Sequence, residues 1–267
     1  MTGKRGLIMG VANDHSIAWG IAGMLHEHGA ELAFTYQSEA FLRRVRPLAE
    51  SVGAETLVEC DVEDLASLDR VFDTLAETWG ELDFVVHAIA YSDKDELKGK
   101  YVDTTPANFS RTMNISCYSF TAVARRAAAL MPHGGGLLTL TYHGAERVMP
   151  NYNVMGVAKA ALEASVRYLA ADLGPDGIRV NAISAGPMRT LAGSAVGAAR
   201  QVYRISREAA PLRRNVELTD VGGAGLYLLS DLSAGVTGEI HYADCGINVV
   251  AMPDMMQGGG SDDSTGG

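Results

Sequence analysis

Short, unbroken apolar runs alternate along this chain with longer stretches whose apolar residues recur at helical spacing. Leu7, Ile8 and Met9 form the first run, which ends at Gly10. Helical spacing follows through Ile17, Ile21, Met24 and Leu25. Gly29 stops it, and "AELAFTY" reads as a second strand. Strand, glycine turn, helix, strand is a βαβ unit, whose crossover is right-handed in nearly all proteins. The alternation repeats through the strand "AETLVECDV", the helix "DLASLDRVFDTLAETWG" and the buried strand "LDFVVHAIA". A helix is expected over about 106–131, then the strand "GLLTLTY", a helix opening "PNYNVMGVAKAALEAS" and the strand "IRVNAISAG". The helix "DVGGAGLYLLSD" and the strand "GEIHYADCG" complete the series. Continuous apolar strands separated by helices predict a parallel sheet covered on both faces: one doubly wound α/β domain over residues 1–256.

Two segments break the rhythm. Residues 189–215 lie beyond the carboxyl end of a strand and are too long for a plain connection, as lids and binding loops are. Residues 257–267, "QGGGSDDSTGG", carry no hydrophobe and are expected to be disordered.

Composition narrows the partners. The 267 residues suffice for a large buried core, and the formal net charge of −10 argues against nucleic acid. No apolar run reaches bilayer-spanning length and no signal peptide is evident, so the cytoplasm is the expected location. Cys60, Cys117 and Cys245 are an odd count without metal-ligand spacing, the seven His form no ligand cluster, and no metal site is expected.

In a Rossmann-type sheet, nucleotides bind outside the carboxyl ends of the strands, where a helix N-terminus meets phosphate. Gly10 permits the tight turn, and Ser16 and Ile17 fall where the helix begins. The G-x-G-x-x-G spacing is absent, so an ordinary turn capped by Asp14 or Ser16 remains equally open. Asp61 and Val62 end the third strand, where a carboxylate either meets an adenine amino group or caps the next helix. Ala88, Ile89 and Ala90 end the fourth and are small enough for a flat ring to approach. His87, inside an apolar strand, reads as a packed, hydrogen-bonded residue.

Tyr152 and Lys159 are seven residues apart, nearly the same face of a helix about 10 Å further on. At the first turn, the helix dipole and a nearby cation favour negative charge on the phenol or its partner. Alone, the pair is no more than two residues sharing a face. Tyr142 at the end of the preceding strand and Thr190 after the following one bring further polar groups to the same edge.

The segments "GVANDHSIAWGIA", "GAELAFTYQ", "CDV", "PNYNVMGVAKAALEASVRYLAADLGPDGIRVNAISAGPMRTLA" and "LSDLSAGVTGE" closely resemble bacterial enoyl-acyl-carrier-protein reductase, a divergent branch of the short-chain dehydrogenases/reductases. The likeness runs from about Lys4 to Met252. It implies hydride transfer from NADH to C3 of a trans-2-enoyl thioester, with the enolate stabilised and then protonated at C2. The resemblance assigns catalysis to Tyr142, Tyr152 and Lys159, with Lys159 also on the nicotinamide ribose. It assigns cofactor contacts to Gly10, Ser16, Ile17, Asp61, Val62, Met188 and Thr190, and an acyl pocket to Leu97, Met155, Ala192, Val196 and Val202. A homotetramer is also implied, and Ala160, Ala161, Ala164, Ala170 and Ala171 suit close helix packing between subunits.

Three features depart from the family pattern. Ala90 stands where many members have glycine. The helix that usually carries several basic residues for the acyl carrier protein reads "GAARQVYRISR", where only Arg200 keeps the pattern, with Arg204 and Arg207 further on. Asn114 sits where general short-chain dehydrogenases place a proton-relay asparagine, and reads here as a structural hydrogen-bonding residue. Gln37 ends the second strand without an immediate Arg or Lys pair, which favours NADH over NADPH; Arg43 and Arg44 lie one helical turn on. A short-chain carbonyl reductase and a non-catalytic nicotinamide-binding regulator are the alternatives on the same fold.

Overall fold

The computed structural model describes residues 1–190 and 199–252. Seven parallel strands form one sheet in the order β3-β2-β1-β4-β5-β6-β7. They are β1 (Arg5–Met9), β2 (Glu31–Tyr36), β3 (Leu57–Glu59), β4 (Phe84–His87), β5 (Gly135–Thr141), β6 (Ile178–Ala185) and β7 (Ile240–Ala243). The chain winds outward from β1 to β3, then returns to β4 on the other side of β1. The switch point therefore lies between β1 and β4, whose register pairs Met9 with His87.

Alternate residues of each strand feed two cores. Leu7, Met9, Val85, Leu137 and Val180 face α3 (Leu65–Trp79), α5 (Ser119–Ala129) and α6 (Asn153–Leu173), meeting Leu68, Phe120 and Leu162. Ile8, Phe34, Val86, Leu138 and Ile183 face α1 (Ile17–Glu27), α2 (Glu39–Ser51) and α8 (Leu218–Leu229), meeting Ile21, Val45 and Leu228. Burial on both sides explains why the strands read as unbroken apolar runs. The helices α1 and α8 touch backbone to backbone: a Cβ on Gly222 would lie 2.7 Å from the Gly20 carbonyl oxygen.

The structure adds one helix and corrects three boundaries. α2 was not anticipated, because Pro47 and a run of arginines mask the buried stripe Leu42, Val45, Ala49. The helix expected over 106–131 is α4 (Pro106–Met113), a π-helical turn from Asn114 to Tyr118, and α5. β3 is shorter than its apolar pattern, and α6 begins at Asn153, after Pro150. The segment 189–215 contains α7 (Ala199–Ala209), while Ala192, Val196 and the tail 257–267 lie outside the described residues. No helix among the described residues is long and apolar enough to cross a membrane.

Candidate active site

The carboxyl ends of β1, β4, β5 and β6 lie along one edge of the parallel sheet, the candidate site. At its β1 end the chain turns at Gly10, with φ +94°. A Cβ there would lie 2.1 Å from the Ala88 carbonyl oxygen, so the turn is pressed against the end of β4 and only glycine fits. The loop then folds around Ser16. Its Oγ accepts from the N–H groups of Ala12 (2.9 Å) and Asn13 (3.1 Å) and contacts Asn13 Oδ1 at 3.3 Å. The hydroxyl braces the turn, and the residue is buried. Of the two capping candidates, Ser16 makes no side-chain cap bond and Asp14 lies on the surface beside His15 (3.6 Å). What the turn offers a ligand is the first-turn N–H groups of α1, from Ile17 onward.

Asp61 follows β3. The helix-capping role it shared in the sequence belongs instead to Asp64, which accepts from Ala66 N–H at 3.0 Å. Asp61 Oδ1 accepts from Glu63 N–H at 3.0 Å, and Val62 is buried beside it. Beyond β4, Ala88 packs toward the α1 face and Ile89 toward the opposite face, while Ala90 is exposed. Gln37 is exposed just after β2, and Arg43 is drawn to Glu39 at 3.8 Å.

At the β5 end, two tyrosines meet edge to face. Tyr142 and Tyr152 have ring centroids 5.2 Å apart at 72°. The contact needs Gly144: a Cβ there would lie 2.5 Å from Tyr152 Cδ1 and 3.3 Å from Tyr142 Cδ1. Tyr152 occupies the N-cap position of α6. Lys159, two turns on, is 6% exposed, and its Nζ donates to the Leu140 carbonyl at 2.7 Å. That commits one of three donors and fixes the ammonium under the end of β5. One turn further, the buried Glu163 accepts from Thr141 Oγ1 at 2.6 Å. His87 is fully buried between Thr139 Oγ1 (3.2 Å) and Ser119 Oγ (2.8 Å), the packed role its strand position suggested.

Burial dominates the electrostatics here. It raises Tyr142 to about 12, and it raises Tyr152 well above the ordinary phenol value, with Tyr142 and Glu163 adding to the effect. Desolvation outweighs the pull of dipole and cation toward the phenolate, and both phenols stay protonated. Burial lowers Lys159 to about 8, while Cys117 and Glu163 work against the shift. It also lowers His87 to about 3, with Lys159 contributing, so His87 stays neutral.

Leu97 and Met155 come together with Val154, and Tyr152 packs on the three. Met188 packs on the α1-side core, and Thr190 N–H donates to the Met188 carbonyl at 2.9 Å. Val202 is half-buried on α7; Arg204 and Arg207 are exposed there, while the side chain of Arg200 lies outside the described set. Asn114 opens the π-helical turn, a kind of irregularity common at functional sites. Sequence reasoning missed Glu163 and Gly144. The first was findable as the next same-face residue after Lys159; nothing local marked the second.

The sequence model described as Enoyl-(Acyl carrier protein) reductase matches residues 10–248. The chain is 67% identical to "Enoyl-[acyl-carrier-protein] reductase [NADH] 2" of Rhizobium meliloti, over 96% of this chain and 95% of the relative. The reductase of Anaplasma phagocytophilum, solved in complex with NAD, is 58% identical with a TM-score of 0.92, covering 96% of each chain. The Bacillus cereus reductase, solved with NADP+ and indole naphthyridinone, is 50% identical with a TM-score of 0.92, covering 94% of this chain and 98% of its own.

Proposed function

The chain belongs to the enoyl-(acyl carrier protein) reductase family, and from that premise we propose that it is an NADH-dependent reductase of fatty-acid synthesis that saturates trans-2-enoyl thioesters. The observation that carries the chemistry is the edge-to-face pair of tyrosines at the carboxyl edge of the sheet, with a buried lysine two turns further along α6.

The site fits a dinucleotide. The glycine turn presses against β4, the first N–H groups of α1 are left for a pyrophosphate, and Asp61 is released from capping for an adenine amino group. The sites assigned to the cofactor are Gly10, Ser16, Ile17, Gln37, Asp61, Val62, Ala88, Ile89, Ala90, Lys159, Met188 and Thr190, with Ser16 also shaping the turn. Bound NADH supplies a hydride to C3 of the substrate. Tyr152 then donates a hydrogen bond to the thioester oxygen where enolate charge develops; a donor already in place, and held neutral by burial, needs no reorganisation. Tyr142 packs against that ring and holds its tilt. Lys159 holds ribose hydroxyls and keeps the local potential positive. Leu97, Met155 and Val202 receive the acyl chain, together with Ala192 and Val196.

NADH is favoured over NADPH because Glu39 stands in the first turn of α2 beside Arg43, where a 2′-phosphate would be repelled. Arg204 and Arg207, with Arg200, are the basic face offered to the acidic acyl carrier protein. A homotetramer is supported by an outward stripe on α6, Val157, Ala160, Tyr168 and Ala171, next to the exposed Tyr118; a monomer mass by light scattering would reject it. The cytoplasm is the compartment this reading assigns.

The deciding experiment follows NADH oxidation with crotonyl-CoA and with a panel of ketones. Turnover of the enoyl thioester alone supports the reductase. Ketone turnover would mean a carbonyl reductase, and tight NADH binding with no turnover would mean a regulator.

A further inference from the structure

Four non-glycine residues among those described have positive φ, and two of them flank the catalytic tyrosine: Asn151 at +59° and Asn153 at +36°. Tyr152 between them is at φ −111°, ψ −28°. Asparagine tolerates this region better than most residues, yet such backbone persists only where its surroundings hold it. For Asn153 the hold is visible. Its Nδ2 donates to the carbonyls of Glu96 (3.2 Å) and Gly99 (3.4 Å), more than fifty residues earlier in the chain.

The segment it grips carries Leu97, which is 6% exposed and packs with Val154, Met155 and Tyr152. That segment is braced from its other side as well. The Glu96 carboxylate accepts from Thr105 N–H (2.9 Å) and Oγ1 (2.8 Å), and Asp93 N–H donates to Asn108 Oδ1 (3.0 Å). The loop is thus fixed to the start of α4 at one side and to the tyrosine turn at the other. Displacement of Leu97 reaches Tyr152 by two routes: direct packing and the Asn153 amide.

We infer that Asn153 is a positioning residue joining the wall of the acyl pocket to Tyr152, so that an acyl chain seated against Leu97 and Met155 sets the phenol for catalysis. The inference rests on the enoyl reductase reading. It makes rate depend on chain length through the tyrosine: a long chain bears on Leu97, and a four-carbon chain barely reaches it. An asparagine that merely supported the fold would affect all substrates alike.

Two variants test this. Asn153→Gly keeps the positive φ without strain and deletes the amide. Asn153→Asp keeps the shape but sets a carboxylate against two carbonyls. Each is assayed with crotonyl-CoA and trans-2-dodecenoyl-CoA, alongside NADH affinity and thermal melting. Loss of the two hydrogen bonds should lower kcat for the long substrate by about five- to tenfold, leave crotonyl-CoA within about twofold, and leave the Kd for NADH unchanged. A long-to-short ratio equal to wild type in both variants overturns the inference, whether the rates hold or fall together. If wild type turns over neither thioester, the reductase reading itself fails and this inference falls with it.

Discussion

The two ends of the site are built by different means. At β1 the candidate ligand-facing surface is mostly main chain: a glycine turn against Ala88, helix N–H groups, and a serine whose hydroxyl folds the loop. At β5 it is side chain: two phenols, a buried ammonium and a buried carboxylate, each held by one or two contacts. A surface made of backbone recognises what every dinucleotide shares and is insensitive to most side-chain changes around it. A surface made of buried polar side chains does specific chemistry, and each group there carries a desolvation cost that its neighbours must offset. Substitutions should therefore sort by end: at the first, adding an atom does the harm; at the second, removing one does.

The largest effect is expected at the second end. On the proposed function, Tyr152→Phe removes the donor assigned to the enolate and should lower kcat by about 10²–10³-fold, the usual consequence of losing one such donor. NADH affinity should stay within about twofold. Lys159→Ala should weaken NADH binding and rate together, because its ribose contact exists in the ground state too. Equal NADH affinity in Lys159→Ala and wild type would reject this division of labour.

Next comes the first end, with the smallest of all side chains. Gly10→Ala places a methyl 2.1 Å from the Ala88 carbonyl oxygen and asks alanine to adopt φ +94°. Overpacking of this kind costs about 1–3 kcal/mol, and the backbone conformation about as much again. NADH affinity should fall at least about tenfold, with a thermal midpoint lower by several degrees. Wild-type values for both would mean that the turn rests on something other than its closeness to β4.

The same division decided what could be read beforehand. The apolar runs and helical spacings give β1, α1, β2, α3 and the strands after them, because burial on both faces leaves a one-dimensional trace. α2 left none, since Arg43, Arg44, Arg46 and Pro47 dilute its stripe of Leu42, Val45 and Ala49. In the site, Tyr152 and Lys159 were legible as a spacing and Gly10 as a turn. The burial around that tyrosine was not, because it depends in part on Leu97, which comes from a distant part of the chain. Asn153 is conspicuous only once its φ and its reach to Glu96 are known.

Ala90 tests the border between the two ends. It lies exposed just past β4, where a methyl takes room that glycine would leave. A thin enoyl chain should pass it, whereas a diphenyl-ether inhibitor stacked beside the nicotinamide should not. One methyl too many in a tight site costs about 1–3 kcal/mol, so Ala90→Gly should bind such a compound about tenfold more tightly, with kcat/KM for substrate nearly unchanged. No gain in affinity at matched NAD concentration would show that the strand end bends to hide the methyl.

The smallest effect concerns the charge of Lys159. Burial lowers it from 10.5 to about 8, so the cation that the proposed function assigns to the ribose is present below that pH and lost above it. NADH affinity should therefore hold near neutrality and decline as pH rises through about 8. Stability runs the opposite way. Between about 8 and 10.5 the unfolded chain binds a proton that the folded one has released, so this lysine's contribution to stability rises with pH across that window. Glu163, one turn along α6, opposes the lowering, and its own carboxyl is raised by burial. The other titratable groups around the pair are His87, neutral throughout, and Cys117, Glu146, Arg167, Tyr152 and Tyr242. Glu163→Gln can still accept from Thr141 but carries no charge. Lys159 should then lose its proton at lower pH, and the decline in NADH affinity should begin closer to neutral. The effect should be about threefold at about pH 7.5 and absent near pH 6, where the lysine is charged in both proteins. Titrations of NADH binding across that range for both proteins decide it: superimposable curves would mean that Glu163 serves only to anchor Thr141.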